Sequence, residues 1–123
     1  MMRAVNRILL VALGGALGCA GRFALSGALQ KPGAFPTGTL AVNVLGCLAA
    51  GWLLGRQAFG EDIRTLLMPG LLGGFTTFSA FGAETLGLWQ AGQAGLAAVN
   101  AGANLVLGFG AVWAGHLASR WVG

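Results

Sequence analysis

Apolar residues run along this chain in long stretches broken by single charges. Charge-free runs cover residues 8–21, 23–30, 32–55, 65–83 and 85–119. A helix needs about 20 mostly apolar residues to cross the hydrocarbon of a bilayer. The runs therefore predict four transmembrane helices over 5–29, 38–56, 63–90 and 95–118, with Arg22 inside the first and Glu84 inside the third. The connections are short. The first carries Lys31, Pro32, Gly33 and Pro36, the second Arg56, Glu61, Asp62 and Arg64, and the third is Ala91-Gly92-Gln93-Ala94-Gly95. With no linker or low-complexity stretch between them, residues 1–123 read as a single four-helix transmembrane domain.

Composition narrows the class further. Of 123 residues, 56% are hydrophobic and 8% charged, and the mean hydropathy is +0.78. A soluble domain carries about 25% charged residues, so a water-soluble globule is excluded. Disorder requires low hydrophobicity and is excluded as well. The net charge of +4 does not indicate nucleic acid, because the cations are not gathered into a patch: all but Arg22 flank apolar runs. Arg3 and Arg7 before Ile8–Leu17 resemble a signal peptide, but three further spans follow. Cys19 and Cys47 lie within apolar runs, where a thiol behaves as a small apolar group, and no disulfide or zinc site is expected. With four crossings, Arg3, Arg7, Arg56, Arg64 and Arg120 share one side, while Lys31, joined by Arg22 if it snorkels, marks the other. The positive-inside rule then places the termini in the cytoplasm.

Glycine is abundant, with 23 residues. The pairs Gly14/Gly18, Gly51/Gly55 and Gly70/Gly74 have the small-xxx-small spacing that lets helix backbones approach in lipid. Four such closely packed helices leave no room for a water-filled lumen, so a transport path would form between subunits. Polar side chains within the spans each need a partner or a task. Thr39, Asn43 and Gly46 share a face of the second span by i, i+4, i+7 spacing. Asn43 is read either as an interhelical hydrogen bond or as an amide donor to a ligand. Asn100 and Asn104 form a second amide stripe on the fourth span. The third span contains Gly73-Gly74-Phe75-Thr76-Thr77-Phe78-Ser79-Ala80-Phe81. Paired glycines and β-branched threonines weaken a helix, and a break here would free carbonyls suited to a small cation. Phe78 and Phe81 lie on one face. Ring edges are positive, so two edges with nearby hydroxyl or amide donors can hold a small anion; the plain alternative is lipid-facing or core phenylalanines. Arg22 and Glu84, ionisable within spans, are candidate functional groups. No nucleophile triad, intramembrane carboxylate pair or phosphate loop is present, so no enzyme is indicated.

These stretches resemble the small fluoride channels called Fluc, or CrcB, along nearly the whole chain. The match rests on Gly15-Ala16-Leu17-Gly18 followed by Arg22, on Phe35-Pro36-Thr37-Gly38-Thr39-Leu40-Ala41-Val42-Asn43-Val44-Leu45-Gly46, and on the Gly73–Phe81 core. The resemblance implies an antiparallel, dual-topology dimer with a broken third helix. It implies passive export of fluoride across the bacterial inner membrane, which relieves fluoride toxicity. Phe78 and Phe81 correspond to the pore's aromatic box and Asn43 to a pore-facing amide, with Ser79, Thr39 and Asn104 as further pore-lining donors. The resemblance places Arg22 and Glu84 at the vestibule. It also assigns the carbonyls of Gly73 and Thr76 to a structural sodium ion at the dimer axis.

Four features depart from the family pattern. Phe23 stands where Tyr is usual, Ala80 replaces Thr, and Asn104 replaces Ser. The charge asymmetry disfavours free dual insertion, so the partner is either a second copy or a related chain of opposite orientation. The competing readings are a small four-helix proton-coupled multidrug exporter, for which Glu84 is the only candidate carboxylate, and a non-transporting membrane assembly protein.

Overall fold

Helices begin and end where the chain's punctuation places them. In the structure, a computed structural model, residues 2–56 and 58–122 are described, with side chains from Ala4 onward, so the Arg3 side chain lies outside the description. Helix α1 spans Met2–Leu29 and α2 spans Thr37–Gly55. The loop between them is wound around one side chain. Gln30 Nε2 donates to the carbonyls of Lys31, Ala34 and Phe35 at 3.2–3.3 Å, and Gln30 Oε1 accepts from the Gly38 amide at 3.2 Å. The last two helices are α5 (Phe78–Gln90) and α6 (Ala94–Ser119). Between them Gly92 takes φ +75°, which a side chain would resist. The Gly92 amide donates to Trp89 and the Gln93 amide to Leu88, closing the end of α5 as a Schellman motif.

The third span is composite. It starts as α3 (Glu61–Thr65), widens into a π-helical segment (Leu66–Leu72), and tightens again as α4 (Gly73–Phe75) before an extended break leads into α5. Pro69 lies in the π-helical segment. It has no amide hydrogen to give and its ring crowds the preceding turn, which the wider turn relieves. The break falls at the threonine end of the segment the sequence marked as weak. Gly73 and Gly74 are both helical, while Thr76 (φ −84°, ψ 155°) and Thr77 (φ −148°, ψ 114°) are extended. β-Branched threonines suit extended backbone, and the Thr77 hydroxyl restarts the helix by accepting from the Ala80 amide at 3.2 Å. Gly74 serves packing instead: a Cβ there would stand 3.0 Å from the Gly15 Cα.

Among the described residues, four helical spans, Ala4–Leu29, Thr37–Gly55, Glu61–Gln90 and Ala94–Ser119, are long and apolar enough to cross a membrane. They match the predicted spans to within two residues at each end. They pack as two parallel pairs. α1 lies on the π-helical segment and α4, and α2 lies on α6. Glycine sets both seams. A Cβ on Gly14 or Gly18 would collide with the backbone of Leu66, Leu71 or Phe75. One on Gly51 would collide with the Val112 backbone, and one on Gly115 with that of Leu48. All three predicted small-xxx-small pairs lie in these contacts. An ion pair between Arg7 and Glu61 joins the start of α1 to the start of the third span, so those two helix starts lie at the same end. α5 packs on α6 and thereby bridges the two pairs. Large apolar side chains project outward around the bundle, as lipid or a second protein surface requires, among them Phe23, Phe78 and Phe109.

Candidate functional site: the break in the third span

At the break the backbone has lost its helical partners, and side chains from two other helices replace them. Asn43, on the buried face of α2, grips Thr77 from both sides. Its Oδ1 accepts from the Thr77 amide at 2.8 Å and its Nδ2 donates to the Thr77 carbonyl at 3.2 Å. Arg22 reaches in from α1, its Nε donating to the Gly74 carbonyl at 3.0 Å. The guanidinium is therefore turned into the bundle and held against the break rather than extended to the surface. The anticipated face of α2 is intact: Thr39, Asn43 and Gly46 all meet the third span.

Asn43 Nδ2 also donates to Asn104 Oδ1 at 3.0 Å. Asn104 Nδ2 donates to the carbonyl of Asn100 at 3.0 Å and to its Oδ1 at 3.2 Å. Asn100, fully buried, donates to Thr85 Oγ1 at 2.9 Å, and the Thr85 hydroxyl donates to the Phe81 carbonyl at 2.7 Å. A run of amides and one hydroxyl thus connects α2, α6 and α5. The interhelical reading of Asn43 holds, and both of its N–H donors are engaged within the protein.

Phe78 and Phe81 stand just past the break with ring centroids 5.4 Å apart and planes at 63°, an edge-to-face pair. Phe78 is 79% exposed. The rings border an open groove of about 230 Å³ whose lining includes Asn43, Cys47, Thr77 and Asn104. Ser79, exposed, lies 3.2 Å from the Thr77 hydroxyl. A second groove, nearer the α1–α2 loop, brings Thr39 and Glu84 together with Phe23, Ser26 and Gln30. There the Thr39 hydroxyl donates to Glu84 Oε1 at 2.6 Å, while Glu84 Oε2 is buried without a hydrogen-bond partner among the described residues. Of the anticipated site residues, Asn43, Asn104, Phe78, Phe81 and Ser79 gather at the break, and Thr39 with Glu84 forms a separate cluster. Arg22 joins the break rather than Glu84.

The sodium assignment can be tested against the donor set. Where the helix opens, the Thr77 and Ala80 amides turn to Asn43 Oδ1 and the Thr77 hydroxyl instead of back to the carbonyls of Gly73 and Thr76. Freed carbonyls at an unwound helix are the ligands a small hard cation requires, so these positions fit the ion. Sequence reasoning missed Cys47, Gln30 and Thr85. Cys47 follows Asn43 by four residues and so shares its helical face, a signal that was available. Gln30 and Thr85 carried none, because their partners are set by loop winding and by the packing of α5 on α6.

The family model described as "CrcB-like protein, Camphor Resistance (CrcB)" matches residues 9–116. Among similar curated proteins, one from Nitratidesulfovibrio vulgaris is 45% identical, with 96% of this chain and 100% of that protein covered. A protein from Methylobacillus flagellatus is 47% identical over 89% of this chain and 91% of its own length. One from Opitutus terrae is 49% identical over 90% of each. All three carry the name "Fluoride-specific ion channel FluC".

Proposed function

The chain belongs to the CrcB-like family, and from that premise we propose that it is a fluoride-selective channel subunit that exports fluoride passively across the bacterial cytoplasmic membrane and so relieves fluoride toxicity. The observation that carries this reading is the edge-to-face pair of Phe78 and Phe81 set directly after the break at Thr76–Thr77. The relatives' shared name supplies the ion. Fluoride is small and strongly hydrated, so a path for it must offer close replacements for water. Positive ring edges do this without a fixed positive charge to trap the ion. A narrow aromatic-lined path also fits larger halides poorly. The mechanism is conduction, with no bond made or broken.

A closed path needs a second protein surface. In this reading two chains associate antiparallel, either two copies or this chain with a related one of opposite orientation, and the open groove beside Phe78 becomes enclosed. Sodium held by the carbonyls of Gly73 and Thr76 would neutralise oxygen dipoles where the two breaks meet. Thr39 and Glu84 would line the vestibule, and Arg22, held at the Gly74 carbonyl, would add positive potential beside the break. The proton-coupled exporter is not favoured, because the relatives are named as ion channels.

Liposomes loaded with potassium fluoride and containing the purified protein test the reading. On adding valinomycin, a fluoride electrode should register rapid efflux, while chloride-loaded vesicles stay sealed. Phe78→Ile and Phe81→Ile should each slow efflux at least tenfold, the order of one strong contact, while the protein still elutes as a single species. Undiminished flux in both variants removes the role given to the rings.

A further inference from the structure

We propose that Asn104 is a positioning residue: it holds the amide of Asn43 in the one orientation that clamps Thr77, and thereby sets the start of the helix carrying Phe78 and Phe81. The role in conduction rests on the channel reading; the positioning itself does not.

An asparagine amide can be turned over, exchanging donor for acceptor, and at each position the network decides which way it faces. Here both ends of the network are backbone groups, whose character is fixed. At one end the Thr77 amide can only donate, so Asn43 must present Oδ1 to it and Nδ2 to the Thr77 carbonyl. At the other end the Asn100 carbonyl can only accept, so Asn104 must present Nδ2 to it. That leaves Asn104 Oδ1 facing Asn43, where it accepts the second Nδ2 proton at 3.0 Å. Turning over either amide would set oxygen against oxygen at two contacts. The sense continues through Asn100 and the Thr85 hydroxyl to the Phe81 carbonyl. The relay thus leaves the break at Thr77 and returns to the first turn of the same helix, with α6 as its anchor.

An apolar side chain at position 104 would break the link between Asn43 and the Asn100 carbonyl at both ends. In this protein Asn43 is held turned toward the backbone, and its two protons are occupied at once. Asn104 then bears on the start of the helix that carries the aromatic pair through Asn43.

Amide hydrogen exchange and fluoride efflux together test this. The unsubstituted protein, Asn104→Leu, Asn43→Ala and the double variant would be compared in detergent for exchange at the Thr77 amide, and in vesicles for efflux. Asn104→Ala, which also removes both links, serves as the second single variant should the leucine form not fold. Asn104→Leu is expected to speed Thr77 exchange about tenfold, toward the rate in Asn43→Ala. Efflux is expected to fall about tenfold in Asn104→Leu, and the double variant should be no slower than Asn43→Ala alone, the mark of two residues acting as one. Unchanged Thr77 protection in a folded Asn104 variant, or flux losses that multiply in the double variant, would overturn the proposal. Absence of fluoride efflux from the unsubstituted protein would strike the channel reading instead, and the exchange comparison alone would then decide the positioning role.

Discussion

Helices α2 and α6 lie side by side for most of their length, yet they meet in two different ways. In their first halves the contact is polar: Asn43 meets Asn104, which is itself tied to Asn100 one turn earlier on α6. In their second halves it is backbone against backbone, with Gly51 on Val112 and Gly115 on Leu48. In lipid there is no hydrophobic gain from bringing two helices together, so association depends on close packing and on hydrogen bonds. The glycine half uses the first and fixes the distance between the helices. The amide half uses the second and fixes direction, because each amide must face its partners in one sense. The break and the aromatic pair sit beside the amide half. Rigidity is placed away from the site, and orientation is placed at it.

The largest effect should come from intruding on the glycine half. Gly51→Leu sets a side chain into the Val112 backbone, which neither helix can yield without separating. Overpacking of this kind costs about 1–3 kcal/mol and more where backbone is the obstacle. The expected result is loss of a monodisperse protein on size exclusion. Gly110→Ala, on the same α6 but with nothing within 4 Å of its added Cβ, should leave elution unchanged. If both variants behave alike, the close approach of the two backbones is not what joins the pair.

Much of this division is visible before any coordinates are known. Small-xxx-small spacing marks the glycine contacts because close approach demands small residues at one period on one face, and all three marked pairs lie in helix seams. The stripe of Thr39, Asn43 and Gly46 was legible for the same reason. The exact place of the break was not. Glycines and threonines together marked Gly73–Thr77 as weak, yet the glycines remain helical, Gly74 packed against Gly15 of α1, and the extended backbone falls on Thr76 and Thr77. Local propensity indicates that a segment is weak, while packing decides which residue yields. The partners of Arg22, whose Nε meets the Gly74 carbonyl, were hidden in the same way.

A smaller loss of stability is expected from the amide half, with a larger loss of function. Asn43→Ala removes both partners of Thr77 at once, leaving a partly buried amide and carbonyl unsatisfied. Such a loss costs about 1–3 kcal/mol, so the protein should still purify but melt earlier. Fluoride efflux should fall far more steeply than the melting temperature, because the start of α5 loses its clamp. Stability and flux that decline together would mean that Asn43 is simply another packing residue, and the contrast between the two halves would lose its functional side.

The smallest effect tests how far orientation travels along the amide half. Thr85→Val keeps the shape of the side chain and removes only its hydroxyl, which accepts from Asn100 and donates to the Phe81 carbonyl. Interhelical hydrogen bonds in membranes contribute about 0.6 kcal/mol on average, so melting should barely shift. Asn100 is fully buried, however, and its Nδ2 would lose an acceptor with no water at hand to replace it. If direction is transmitted along the relay, the Asn100 and Asn104 side-chain amide signals should both move in nitrogen-labelled spectra of Thr85→Val, and Thr85→Ser should restore them. Movement confined to Asn100 would end the relay there. The amide half would then consist of separate local bonds, and only the link from Asn104 to Asn43 would bear on the aromatic pair.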